Sequence, residues 1–224
     1  MRYNTELNEN NAELQTILDT VNALPEAGSG GNKEDVLIYA TCANNMFDNA
    51  VFPEDYTLSL NLPRITSLNY FAMRSNVKKV ILKGNENKNS ISTAYAFFNC
   101  TNLEEVDFSD FNMVFREGTY AFSTCKSLKK LTGEFDFSKC VKIGNTFISS
   151  SNNLEEIRIK KETLSLSLEL PSAFLSDLSI QSIIDGLADL TGGTAQTLTL
   201  HADVKAKLTE EQISTITGKN WTLA

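Results

Sequence analysis

The residue types that could do chemistry are few in this chain and stand apart from one another. His201 is the single histidine among 224 residues, and histidine is the side chain best suited to act as a base near neutral pH. A base also needs a nucleophile and an orienting group within hydrogen-bond reach. No Gly-x-Ser-x-Gly motif accompanies His201, which follows an expected strand end and reads as an exposed or edge histidine. Cys42, Cys100, Cys125 and Cys140 form no Cys-x-x-Cys pair, whereas a zinc site needs closely spaced Cys and His ligands. They read as reduced, buried thiols packing as small hydrophobes. Carboxylates are paired at Glu104-Glu105, Glu155-Glu156 and Glu210-Glu211. A glycosidase needs two carboxyls facing each other across a cleft, and these are neighbours along the chain. Gly192-Gly193 lacks the lysine and hydroxyl of a phosphate loop. The expectation is a chain with no catalytic residue, no metal and no cofactor, which works by binding.

Charge narrows the partners. The net charge is −8, which argues against nucleic acid, since phosphate binding needs a basic patch. It argues equally against electrostatic attachment to anionic membranes. No apolar run approaches the roughly 18 residues that span a bilayer. The opening MRYNTELNENNAELQ has no apolar core, so no ordinary secretory signal is expected.

The elements that position these residues come from an internal repeat. YFAMRSNVKKVILKG from Tyr70, YAFFNCTNLEEVDFSD from Tyr95, YAFSTCKSLKKLTGE from Tyr120 and NTFISSSNNLEEIRIKK from Asn145 line up at spacings of 25 or 26 residues. An aromatic anchor recurs at Phe71, Phe97, Phe122 and Phe147; apolar anchors recur at Val77, Leu103, Leu128 and Leu154, and at Val80, Val106, Leu131 and Ile157. Each unit reads as a short helical turn followed by a strand of pattern L-x-x-V-x-F. Alternation along that strand puts Val106 and Phe108 inward and Glu105, Asp107 and Ser109 outward. One unit cannot bury its own apolar face, so units must stack and form a parallel sheet along one side. Gly133 stands where Leu82, Phe108 and Ile159 stand, which predicts a bulge or kink.

The pattern Ala96-Phe97-x-x-Cys100-x-x-Leu103-x-x-Val106 resembles the BspA-type leucine-rich repeats, closely over 70–160 and more loosely beyond. That resemblance implies an α/β leucine-rich-repeat solenoid with a parallel β-sheet on one face. It also implies a surface or secreted adhesion or interaction role.

The two ends differ from the repeat. Over residues 1–27, Leu7, Leu14 and Val21 fall at heptad a positions, and Asn10, Ile17 and Leu24 at d. This is the seam of a coiled-coil helix that would trimerise or dock on a partner, or else pack alone on the solenoid end. Pro25 and a Gly/Ser linker at 28–31 follow. Residues 32–69 are expected to hold an N-terminal cap with a strand at Thr57–Leu60, and 70–170 the repeats. Residues 171–224 should hold degenerate repeats and a C-terminal cap. There, Ile180, Ile183, Ile184 and Leu187 mark a helix; Thr197–Leu200 reads as a strand; Thr209 and Gln212 form a capping box; and Trp221–Leu223 reads as a last strand. Pairing Leu198 with Thr222 gives a 24-residue unit.

One charge pattern recurs with the repeat: Lys78-Lys79, Glu104-Glu105, Lys129-Lys130, Glu155-Glu156. Stacking sets each basic pair beside an acidic one, either as a structural ladder that fixes the order of units or as a mixed-charge binding face. If the ladder is structural, ligand selection falls to the residues beside it: Ile81, Lys83, Asp107, Ser109, Arg158 and Lys160. The overall plan of N-terminal helix, short repeats and C-terminal cap resembles tail-associated proteins encoded by phages and prophages of Gram-positive gut bacteria. That resemblance implies a receptor-recognition protein of the virion, bound to a protein or glycan on the bacterial surface and released by lysis. A bacterial surface or secreted adhesin, and a virion assembly subunit touching only other virion proteins, are the alternatives.

Overall fold

The computed structural model describes residues 36–224. The heptad positions Leu7, Leu14, Ile17, Val21 and Leu24 and the linker at 28–31 lie outside them. The fold is mixed α/β, with three parallel sheets and few helices. The first sheet contains β1 (Val36–Leu37), β2 (Thr57–Asn61), β3 (Lys79–Gly84), β5 (Glu105–Phe111) and β7 (Lys130–Thr132), side by side in the order β1-β2-β3-β5-β7. A second contains β4 (Ser90–Ser92), β6 (Met113–Glu117) and β8 (Phe135–Asp136). The third contains β9 (Leu168–Leu170), β10 (Gln196–Leu200) and β11 (Trp221–Leu223). Parallel neighbours cannot be joined by a hairpin. Between β3, β5 and β7, each strand is followed by a strand of the second sheet and then a turn that returns the chain.

Those turns repeat with the sequence. The backbone is left-handed at Asn45, Tyr70, Tyr95 and Tyr120, with φ of 56, 57, 57 and 54°, and again at Asn49, Arg74, Asn99 and Thr124, with φ of 55, 60, 59 and 59°. Single i→i+3 bonds close the space between, as from Phe98 N to Tyr95 O at 3.2 Å and from Ser123 N to Tyr120 O at 3.3 Å. The expected helical turns are therefore not helices: a left-handed residue at each end stops propagation after one turn. Only Gly144–Thr146 forms a 3-10 turn within the repeats. Adjacent turns are tied by Ala72 N to Ala96 O (2.7 Å), Phe97 N to Ala121 O (2.8 Å) and Phe122 N to Phe147 O (2.8 Å). The repeating turn begins at Asn45, one unit before the repeat read from sequence and inside the segment expected to be a cap.

The anchors form the core. Phe47, Phe71, Phe97, Phe122 and Phe147 are buried, and successive rings meet at 5.2, 5.9, 5.3 and 5.5 Å. Both aliphatic columns are buried as well. Burying each such side chain contributes about 1.5–3 kcal/mol. Inside the turns, buried thiols and hydroxyls satisfy backbone carbonyls. Cys100 Sγ donates to Ala72 O and Cys125 Sγ to Phe97 O, each at 2.9 Å, and Ser151 Oγ donates to Phe122 O at 2.6 Å. All four cysteines are free; Cys100 and Cys125 are buried, Cys140 half-buried and Cys42 exposed, against the expectation that all are buried. Burial pushes the Cys100 and Cys140 thiols up to about 11 and Cys125 well above its ordinary value.

Gly133 kinks the chain as expected. Its φ is +118°, and a Cβ there would stand 2.5 Å from Cδ2 of Phe108. The chain leaves the first sheet at Thr132 and enters the second at Phe135, whose ring meets that of Phe108 at 4.5 Å. A bulge that the repeat does not announce lies one unit earlier. Lys79 pairs with Glu105 but Lys83 pairs with Asp110, so β5 carries an extra residue.

At the C-terminal end, α1 (Asp177–Gly186), α2 (Ala202–Lys205) and α3 (Glu210–Gly218) cover the third sheet's units. Ser176 caps α1 by accepting from Ser179 N, with Leu175 and Ile180 buried on either side as a hydrophobic staple. The Thr209–Gln212 capping box is formed, at 3.0 and 3.2 Å. The 24-residue unit is corrected: Leu198 pairs with Leu223, and Thr197 with Thr222. Leu198 is buried and Thr222 exposed, and neighbours in register must point to the same side of a sheet.

Candidate functional site

The inward residues of the first sheet are consumed by the core, so its outward residues are what it can offer a partner. The row nearest the turns contains Thr57, Lys79, Glu105 and Lys130 in register, with Glu156 bridged to Lys130. Lys79 Nζ donates to Glu105 Oε2 at 2.9 Å, both partly shielded. The rest of the ladder is looser than the alternation suggests. Lys78 reaches Asp55 at 3.4 Å rather than Glu104, and Glu156 lies 3.9 Å from Arg158. Asp55 sits in a turn outside the repeat, which is why charge alternation alone misassigns Lys78.

The next row contains Ser59, Ile81, Asp107 and Thr132. It brings Ile81 and Asp107 side by side, both half-buried. Lys83 stands one row on, beside Asn61 and Asp110. Ser109 is the exposed residue of the bulge, and it folds back on Asp107: the Asp107 carboxylate accepts from Ser109 N at 3.0 Å and Ser109 Oγ at 2.8 Å. Arg158 is exposed beyond Thr132, its carbonyl accepting from Phe135 N at 2.9 Å. Lys160 is drawn away from the row, since its ammonium donates to Asp136 on β8 at 2.7 Å. Burial pushes the Asp136 carboxyl up, but hydrogen bonds from Lys160 and Ser138 outweigh it and hold it below its ordinary value. Those contacts with Asp136 raise Lys160 in turn.

The residues first weighed for catalysis have structural places. His201 caps α2, its Nδ1 accepting from Asp203 N at 3.2 Å. Glu210 and Glu211 lie in the first turn of α3, where negative charge is favourable. Among the described residues no group of three or more His, Cys, Asp or Glu could hold a metal ion. No helix of these residues is long and apolar enough to cross a membrane.

A second surface feature was not singled out by the sequence reading. Tyr70, Tyr95 and Tyr120 stack along the turns, with centroids at 5.1 and 4.9 Å and ring planes within 7 and 23°. Each sits in the left-handed region, which costs a residue with a bulky side chain about 1–2 kcal/mol. Stacked pairs return about 0.5–1.5 kcal/mol each. The available signal was recurrence: a tyrosine opens three of the four aligned units. No family model, curated protein or solved structure matches this chain.

Proposed function

We propose that the chain is a non-enzymatic binding module: a BspA-type leucine-rich-repeat solenoid that recognises a protein or glycan on a bacterial surface. The observation that carries this reading is the shared register of β2, β3, β5 and β7, continuous through the rows of Lys79 and Ile81 as far as the bulge in β5. It lays side chains of four successive units in straight outward rows over a fully buried inner face. Stacked repeats present extended surfaces of this kind to their partners. The rows combine an aliphatic residue (Ile81), carboxylates (Asp107, Asp110) and cations (Lys83, Arg158), a mixture suited to a polar ligand.

The three shielded cysteines, Cys100, Cys125 and Cys140, are compatible with this reading. A catalytic cysteine needs a lowered pKa and access, and burial moves Cys100, Cys125 and Cys140 the opposite way. In this proposal residues 1–27 serve oligomerisation or docking. The setting is a phage tail or a bacterial surface, as the resemblance implies. The test is retention of the full chain on a panel of Gram-positive gut bacteria, with wild type compared to Arg158→Glu and Asp107→Lys. Retention that the face substitutions reduce supports the proposal. Retention by no strain, or equal retention of all variants, refutes this face as the binding site.

A further inference from the structure

We infer that the tyrosine ridge along the turns is a second binding site, for an extended neutral glycan. It lies on the turns rather than on the outward sheet face, so it stands apart from the site proposed above.

The backbone does not ask for tyrosine. The same left-handed turn position holds Asn45 one unit before Tyr70. Asparagine enters this region readily. Three consecutive units carry a strained aromatic where a relaxed residue is available, and strain of this kind collects at functional positions.

The stack also has a defined chemistry. Tyr95 is covered on both faces and Tyr70 and Tyr120 on one face each, and Phe98 braces the stack edge-on at 5.5 Å from Tyr95 and 6.0 Å from Tyr120. The ridge therefore presents ring edges and a row of phenolic hydroxyls at about the spacing of neighbouring strands. None of these hydroxyls bonds to another described residue. Tyr70 is 38% exposed, and Tyr95 and Tyr120 are half-buried. The rings are already immobilised, so little conformational entropy is lost when they are contacted.

The surroundings are neutral. In a chain that is 21% charged, the turns at 44–49, 69–75, 94–100 and 119–125 carry only Asp48 and Arg74 as charged residues. Those two neutralise each other, Arg74 Nη2 lying 3.0 and 3.2 Å from the Asp48 oxygens. The remaining polar side chains are amides and hydroxyls, among them Asn49, Asn99 and Thr124. Within these turns an anionic or cationic ligand finds no unpaired charge. A linear run of sugar hydroxyls matches the row of phenols, amides and hydroxyls, with C–H groups against the ring edges.

The test uses the full chain and neutral hexasaccharides of glucose, mannose, galactose and N-acetylglucosamine, with a hexauronate as charged control. Binding is read by saturation-transfer NMR and calorimetry. The triple variant Tyr70→Asn/Tyr95→Asn/Tyr120→Asn places at each turn the residue that Asn45 already holds, and circular dichroism checks its fold. The triple Tyr→Phe variant keeps the stack and removes only the hydroxyls. At least one neutral hexasaccharide is expected to bind the wild type. The phenylalanine variant should bind about tenfold more weakly, and the asparagine variant not at all. Absence of any neutral hexasaccharide binding, binding of the hexauronate alone, or full affinity in the phenylalanine variant overturns the inference. Failure of cell retention with these glycan results intact would refute only the sheet-face reading.

Discussion

Replacing Glu105 with lysine tests the register of the whole stack through one side chain. Glu105 lies between Lys79 and Lys130 on the adjacent strands and is ion-paired to Lys79 at 2.9 Å. The substitution removes that pair, which at a partly exposed site contributes about 0.5 kcal/mol. It also sets three cations side by side at strand spacings of about 4.8 Å, and each like-charge neighbour costs about 0.2–1 kcal/mol. The total is about 1–2 kcal/mol, or a fall in Tm of roughly 2–8 °C for a chain of this size. Asp107→Lys changes the charge equally but lies between Ile81 and Thr132, which are uncharged. It does lose the two hydrogen bonds from Ser109, so its low-salt loss need not be small. The discriminating quantity is salt dependence. The Debye length falls from about 10 Å at 0.1 M to about 3 Å at 1 M, so added salt should recover most of the Glu105→Lys loss and little of the Asp107→Lys loss. Thermal melts of both variants across that range decide it. Equal recovery in both, or none in Glu105→Lys, would refute the assignment of Glu105 to a charge ladder.

Gly133→Ala combines a φ of +118° with a Cβ 2.5 Å from the Phe108 ring, and a loss of about 2–4 kcal/mol in urea unfolding is expected. A loss under about 0.5 kcal/mol would show that the kink is not forced by Phe108. In native protein a thiol reagent should label exposed Cys42 first and leave buried Cys100 and Cys125 unreacted, with all four free after denaturation; a Cys100–Cys125 disulfide in fresh protein would contradict this. The Asp136–Lys160 contact should matter only where both are charged. The lowered Asp136 contributes above the ordinary carboxylate value, about 3.9, and loses its contribution as pH falls through its lower native value. The raised Lys160 contributes below about 10.4 and loses its contribution as pH rises through its native value. Asp136→Asn should therefore lower stability at pH 7 by under about 1 kcal/mol, and the difference should vanish once pH falls below the native value of Asp136.

Spacing made the core legible because each anchor does the same job in every unit: Phe71, Phe97, Phe122 and Phe147 recur and all are buried. The outward row of Ile81 and Asp107 was legible for the same reason, since alternation fixes which side a strand residue faces. The first turn was missed because Phe47 is followed by a longer excursion before Leu58 and Leu60 than the one that separates Phe71 from Val80. The second sheet was missed because its strands Ser90–Ser92 and Phe135–Asp136 are too short to show a period. The bulge in β5 shows in the sequence only as the consecutive polar pair Ser109-Asp110, too brief an interruption of the alternation to be read as an extra residue. Lys160 was placed on the face by counting, but Asp136, which holds it, belongs to that unread sheet. The tyrosines recurred in plain view, yet their left-handed backbone follows from three-dimensional stacking of turns, and no property of tyrosine announces it.

The measurement that bears most directly on the account is quantitative retention of the full chain by whole bacterial cells, with Arg158→Glu and Asp107→Lys run beside wild type. The account predicts saturable retention by at least one Gram-positive gut strain, reduced by either face substitution while circular dichroism is unchanged. Folded wild-type protein that no strain retains, or retention that both face variants keep in full, would contradict it.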